Sequence, residues 1–239
     1  MRLDIVIPVY NEGESVLPWL EQVVSYLKAG DRLIVVDASD ALTTGDSILQ
    51  NNRIFQQDNV FYLTSDKGRA LQMNAGAEFL LSRMRDDKSG LSLVWFLHSD
   101  SGLSNKHCSY LRALSSDVIW GRFDVQLNPD RFPFGIISKF INLRSRITQV
   151  MTGDQGIFIR SDIFQQLQGY ADVPLMEDVE ISKRLRILGG AECAGPILKT
   201  SARRWQKDGW VKTVLLMWQL RLLYWLGVSP RKLVKKYYG

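Results

Sequence analysis

At 239 residues, with 30 Lys and Arg against 25 Asp and Glu (formal charge +5, pI about 9.2), the chain has the length and balance of one globular domain with a substantial core, not of a disordered or fibrous protein. Cys108 and Cys193, without CxxC spacing, give no disulfide framework and no zinc site. No helix-turn-helix, zinc finger or other signature supports nucleic acid as a partner. The basic surplus is dense in Arg203-Arg204, Lys207, Arg221, Arg231-Lys232 and Lys235-Lys236, and suits a phosphate-bearing ligand, an anionic membrane surface or simply a solvated face.

Residues 3–9 read as a first strand. Met1 leads almost directly into it, so no signal peptide is expected and a cytoplasmic chain is. Tyr10-Asn11-Glu12-Gly13 form a turn, and residues 15–29 place apolar side chains at 16, 20, 23, 24 and 27 on one helix face, closed by Gly30. A second strand, 33–36, stops on Asp37. A weaker helix follows at 41–52, a third strand at 60–63, a loop at 64–68, a helix at 69–84 and a strand at 91–97. Strands alternating with helices at this spacing imply βαβ units, hence an α/β fold with a mainly parallel sheet.

After Asp100 the rhythm changes. Helices are expected at 104–114, 134–150 and 177–188, a short one capped by Ser161 and ending near Gly169, and strands at 118–125, 155–160 and 195–200. Residues 210–228 are nearly all apolar, but Lys212, Gln219 and Arg221 interrupt them. A lone transmembrane helix wants about 20 apolar residues without charges. The segment therefore either packs into the core or lies in a membrane interface with its cations snorkelling, which would put the chain at the inner face of the membrane. Ser229-Pro230 starts a basic tail helix.

The most informative stretch is LSLVWFLHSD, residues 91–100. An apolar run this continuous reads as a parallel strand covered on both faces. In such sheets ligands gather at the carboxyl ends of the strands, where Asp100 would have a carboxylate free to hold a metal; a plain polar strand exit reads the same way. Asp37 ends another strand, Asp154 precedes a later one, and Glu177-Asp178 opens a helix on the side that also carries Ile181, Leu185 and Leu188. A charge on an apolar face usually has a partner or a task. A turn residue accounts for Asp37 as well, an Asx-turn for Asp154, and stabilisation of the helix dipole for Glu177-Asp178.

IVIPVYNE, IVVDASD, KGRALQMNAGA, FLHSD, TGDQGIFIRSDIF and PLMEDVEISKRL occur in this order and cover the chain to about Arg204. In order and spacing they resemble glycosyltransferase family 2, the inverting enzymes of GT-A fold. TGDQGIFIR, SARRW and the LLMWQLRLLYWLGVSP tail are most similar to a small bacterial branch labelled as arsenosugar-biosynthesis glycosyltransferases. The resemblance implies a single Rossmann-like GT-A domain over residues 1–205, with 206–239 as a helical segment packed on it or on a membrane.

It also implies roles by position. Pro8, Tyr10 and Glu12 would line the donor nucleotide pocket, Asp37 bind the base, and Arg69 lie near the nucleoside and phosphates. His98-Ser99-Asp100 stands at the DxD position, with His98 on the donor and Asp100 on Mg²⁺ or Mn²⁺. Asp154 and Glu177 would lie on the acceptor side, Asp178 be the catalytic base, and Arg203 and Arg204 add phosphate contacts. The expected partners are a nucleotide-sugar, a UDP-sugar first among them, and an acceptor hydroxyl, lipid-linked or small and soluble. Three departures stand out: His98 replaces the first Asp of DxD, Asp37-Ala38-Ser39-Asp40 is shorter than the usual loop, and Ser201 occupies the first position of QxxRW. The last, with no long transmembrane bundle, implies a non-processive enzyme. The alternative is a nucleotide-sugar-binding regulator without catalysis. A dehydrogenase would need GxGxxG after the first strand, and a membrane scaffold would leave the carboxylates unexplained.

Overall fold

The computed structural model describes residues 1–40, 52–83 and 91–238, apart from the side chains of Arg204 and Tyr238. Seven strands form one sheet: β1 (Arg2–Val9), β2 (Arg32–Asp37), β3 (Val60–Thr64), β4 (Ser92–Phe96), β5 (Trp120–Asn128), β6 (Phe158–Arg160) and β7 (Glu192–Ser201). Their order is β3-β2-β1-β4-β6-β5-β7, and only β6 runs against the rest. The helices are α1 (Leu17–Ser25), α2 (Arg69–Ser82), α3 (Asn105–Ala113), α4 (Phe134–Thr148), α5 (Ser161–Gln166), α6 (Glu177–Leu188), α7 (Arg203–Asp208), α8 (Trp210–Trp225) and α9 (Pro230–Tyr238).

The alternation of side chains along a strand sorts the central strands into two cores. Leu3, Ile5, Ile7, Leu33, Val35, Leu93 and Trp95 enter the layer shared with Leu20 and Val23 of α1 and Cys108 and Leu111 of α3. Val6, Ile34, Val36, Val94 and Phe96 enter the layer shared with Met73 and Ala77 of α2 and Ile181 and Leu185 of α6. Burial on both faces is why these strands read as unbroken apolar runs. The chain winds outward from β1 to β3, then returns to place β4 on the other side of β1. That reversal opens a crevice at the carboxyl ends of β1 and β4. Because β6 runs the other way, it begins at this edge, so the turn before it, Gly153–Gln155, lies there too.

Several boundaries differ from the sequence reading. The first helix divides into a 3-10 turn, Gly13–Val16, and α1, because Pro18 is tolerated only in an α-helix's first turn. Ser161 does not cap α5. Arg160 holds the cap position, and the Ser161 hydroxyl accepts from the Ser92 amide at 3.3 Å. The strand expected from 155 shortens to β6, since Gly156 takes a left-handed conformation at the end of the 3-10 turn. β7 starts three residues before the expected 195, and Gly195-Pro196 is absorbed as a bulge where its register with β5 shifts. Leu188, used above to define the apolar face of α6, is exposed. The helix expected at 41–52 lies outside the described residues but for Asn52, and Met84 lies outside them as well. At the C-terminus, Leu220 of α8 and Leu233 of α9 are buried against Met176 and Val179.

Three strands meet at Gly121, where an added Cβ would stand 2.4 Å from the Phe158 ring and 2.5 Å from the Glu192 carbonyl oxygen. A backbone carbonyl held in a ladder has little room to give. Gly121→Ala should therefore lower the unfolding free energy by about 1–3 kcal/mol, as overpacked cores do, read from the urea midpoint. An unchanged midpoint would show that β7 can draw back without cost.

Candidate active site

A cleft of about 250 Å³ opens at the crevice between β1 and β4. Its walls are Pro8, Val9, Tyr10 and Glu12 after β1, His98, Ser99 and Asp100 after β4, Arg69 and Gln72 of α2, and Arg203 after β7. The Ser99 hydroxyl donates to Glu12 Oε1 at 2.9 Å, tying the two strand exits together. Tyr10 donates to Asp40 Oδ2 at 2.9 Å and accepts from Lys67 Nζ at 2.5 Å. Gln72 is buried, and its amide donates to the carbonyls of Val9 at 2.7 Å and Val36 at 2.9 Å, fixing the ends of β1 and β2 relative to α2. Asp37 is buried too, and does not line the cleft. Its oxygens accept from the Ser39 amide and hydroxyl and from the Tyr62 hydroxyl.

A smaller recess adjoins the cleft, about the size of one water at 10 Å³, and shares Arg69 and His98 with it. Its other walls include Gly153, Tyr170, Glu177 and Asp178. The Gly153 amide donates to Asp178 Oδ2 at 3.0 Å, and the Val179 amide to Asp178 Oδ1 at 2.7 Å. A Cβ on Gly153 would stand 2.8 Å from His98 Nε2 and 3.2 Å from Arg69 Nη1, so a side chain there would make His98 or Arg69 give way. Met176, just before α6, has φ of 69°, a left-handed conformation uncommon for a residue of this kind, and no side chain caps the helix there. One amide of that first turn, that of Val179, serves Asp178 instead.

The electrostatics follow from crowding. Burial, then the adjacent Glu177, push the Asp178 carboxyl up to about 7, against the pull of Arg69 and its two amide donors. Glu177 is buried and lies 3.5 Å from Arg69 Nη1. Burial and the Arg69 charge hold His98 well below the ordinary imidazole value, so it is neutral. Its 3.8 Å approach to Asp154 is accordingly not an ion pair. Asp100 is raised by burial and by the Asp154 charge, and lowered by Arg203. Arg203 itself is exposed, its Nε donating to the Ser201 hydroxyl at 3.1 Å, and the side chain of Arg204 lies outside the described set.

These residues suit a divalent cation in one specific way. Among the described residues no three His, Cys, Asp or Glu side chains form a complete metal cage. Asp100 nevertheless offers a hard oxygen beside a second negative charge, Asp154, whose repulsion a cation would relieve. Mg²⁺ commonly binds through one or two carboxylates plus substrate phosphates, and a neutral imidazole is a weaker partner for such an ion.

The structure thus gathers Pro8, Tyr10, Glu12, Arg69, His98, Asp100 and Arg203 around the cleft, and Glu177 and Asp178 around the recess, with Asp154 between. The sequence reading missed Gln72, Ser99, Gly153 and Tyr170. For Gln72 there was little signal: it is a polar residue on the side of α2 that also carries Gly76 and Leu80, away from Ala70 and Ala77. For Tyr170, held by Asn74 through bonds of 2.8 Å to both its amide and its carbonyl, there was none.

No family profile and no curated protein matches the chain. Solved structures do. Mannosyltransferase PcManGT from Pyrobaculum calidifontis, in complex with GDP-Man and Mn²⁺, aligns at TM-score 0.55 and 16% identity over 83% of this chain and 56% of that one. S. aureus TarS 1-349 in complex with UDP aligns at 0.55 and 13% over 83% and 57%. GalNAc-T7 with UDP, GalNAc and Mn²⁺ aligns at 0.54 and 15% over 84% and 42%. The chain therefore spans 42–57% of the length of these three proteins. What it shares with them is the fold: a mostly parallel central sheet flanked by helices, the GT-A architecture.

The raised proton affinity of Asp178 has a measurable sign. Between the ordinary value of 3.8 and about 7, the folded chain holds a proton that the unfolded chain has released. Stability then falls as pH rises through that window. Asp178→Asn removes the titration, so the variant should gain on the parent from about pH 4 to pH 7 by on the order of 1 kcal/mol or more. Parallel stability–pH profiles from urea melts would return Asp178 to an ordinary carboxylate value.

Proposed function

We propose that the protein is an inverting, non-processive glycosyltransferase that moves a sugar from a nucleotide-sugar to an acceptor hydroxyl. The observation that carries this reading is Asp178: a carboxylate with raised proton affinity, fixed by two backbone amides, beside a cleft whose walls supply Arg69, Asp100 and Arg203. A general base works best with a pKa near the operating pH. The fold shared with glycosyltransferases that hold UDP or GDP-Man supports a nucleotide-sugar donor, and the ordered family 2 motifs support inversion. The motifs also resemble the small bacterial branch named above.

In this mechanism the donor lies in the cleft, its nucleoside along Pro8, Tyr10 and Glu12 and its diphosphate toward Arg69, Asp100 and Arg203. The acceptor hydroxyl enters by the recess and gives its proton to an Asp178 oxygen while its own oxygen bonds to the anomeric carbon. The bond from that carbon to the diphosphate breaks, and the electron pair leaves with the phosphate oxygen. Arg69 and Arg203 offset the charge that develops there. Asp100 would hold Mg²⁺ or Mn²⁺, which when bound supplies Lewis-acid neutralisation of the diphosphate. Neutral His98 shapes the wall between donor and base and excludes water from it. Attack from the face opposite the leaving group inverts the configuration.

The neutral His98 at the DxD position also favours a second reading, a nucleotide-sugar-binding regulator. The two part on turnover. With a nucleotide-sugar panel, the parent should bind one donor and transfer or slowly hydrolyse it. Asp178→Asn should lower turnover by about 10²–10⁴-fold, the usual worth of general-base assistance, with donor affinity little changed. Parent-like turnover would remove Asp178 as the base, and donor binding without any turnover by the parent would establish the regulator.

The metal reading is tested separately by calorimetry. Asp100→Ala should abolish the Mn²⁺-dependent part of donor affinity, and His98→Ala should do less. Equal Mn²⁺ dependence in Asp100→Ala and parent would move the cation elsewhere.

A further inference from the structure

Among the described residues, two helix faces are apolar and uncovered. On α4, Ile136, Phe140, Leu143 and Ile147 recur at the spacing of a single face and all are exposed, Phe140 by 65% and Ile147 by 73%. On α8, Val211, Leu215, Trp218, Leu222 and Trp225 do the same, Trp218 by 68% and Trp225 by 75%. The inner side of α8 is the one that packs, through Leu220, on Met176 and Val179. The helices are neighbours: Ile141 and Val214 join one cluster with Phe134, Ile137 and Ala202, and Phe132, just before α4, meets Trp210 edge to face. Contiguous exposed apolar surface of this kind marks an interaction site.

The charges say with what. Residues 131–150 and 209–239 contain ten Lys and Arg and no Asp or Glu; the remaining chain has twenty Lys and Arg against twenty-five Asp and Glu. The whole basic surplus therefore belongs to the segments that carry the apolar stripes, and the rest of the protein is net acidic. Arg131, Lys139, Lys212, Lys232, Lys235 and Lys236 are exposed. With 16 residues α8 is about 24 Å long, and among the described residues no helix is long and apolar enough to cross a membrane. Apolar stripes that contain Trp and are flanked by Lys and Arg suit helices lying in the plane of a bilayer interface.

We propose that the α4–α8 face docks the protein on an anionic bilayer surface, its apolar stripes entering the interface and its cations meeting acidic headgroups. The charge selects this occupant over a second copy of the chain, since self-pairing would press together two net-basic faces whose helices themselves carry no carboxylate. The proposal does not depend on sugar transfer, and its test uses no donor.

The full chain should co-sediment at low salt with vesicles of phosphatidylcholine containing roughly one-third phosphatidylserine, and at least tenfold less with phosphatidylcholine alone or in half-molar salt, where charge attraction is screened. Phe140→Ser with Trp218→Ser, both at exposed positions, should weaken binding at least tenfold with an unchanged melting temperature. As a reading that needs no variant, lipids brominated on the acyl chain should quench part of the parent's tryptophan fluorescence in anionic vesicles. Failure to co-sediment at low salt overturns the proposal, as does binding without quenching, which would leave only adsorption by the basic tail. A dimer in light scattering that the same two substitutions dissociate assigns the face to a second copy and overturns it too.

Discussion

One hydrogen bond holds the candidate site together: the Gly153 amide donating to Asp178 Oδ2 at 3.0 Å. It joins the turn that leads into β6 to the first turn of α6, two segments that reach the same sheet edge by different routes. Residue 153, lacking a Cβ, sits closely against His98 and Arg69 where this bond forms. Around it, the Val179 amide gives Asp178 a second donor, and Arg69 Nη1 lies 3.5 Å from Glu177 Oε1. Arg69 faces both the cleft and the recess, so one guanidinium sets the potential in both.

The site is built at some cost to the fold. Glu177 and Asp178 place two carboxylates side by side, one buried and one partly buried, with one arginine between them and the cleft. Asp100 and Asp154 repeat the arrangement at the mouth. A chain selected for stability alone would separate these charges or replace them. Their retention at the carboxyl ends of β1 and β4, beside a left-handed Met176, is the pattern expected where strain and like charge serve chemistry rather than folding.

The layers of the fold were legible in the sequence because its strands are buried on both faces. The runs at 3–9, 33–36 and 91–97 have few polar interruptions, and periodicity alone locates them. Boundaries were less legible where a local effect outweighs periodicity: Pro18 delays α1, Gly156 shortens β6, and a bulge at Gly195-Pro196 conceals the start of β7. The site residues were named through motif order, which identifies positions but not distances. That Gly153 touches His98, or that Gln72 spans two strand ends, follows from the packing of segments tens of residues apart. No local signal encodes either. The exposed stripe of α4 escaped for another reason: its outer face is as apolar as its inner one, so periodicity singles out neither.

β6 has a consequence for how the sheet responds to force. Among the described strands it alone lies between β4 and β5, with three residues registered on β4 and two on β5; outside the strands, one bridge from Gly102 to Lys199 adds to it. The halves of the sheet are thus stitched by a seam far narrower than either half, and the recess lies over it, with Arg69 and His98 on one bank and Gly153 and Asp178 on the other. Fluctuations that part the halves cost the fewest ladder bonds along this line. A molecule touching both banks acts as a clasp: it stiffens the sheet where the sheet is weakest, without moving a single strand.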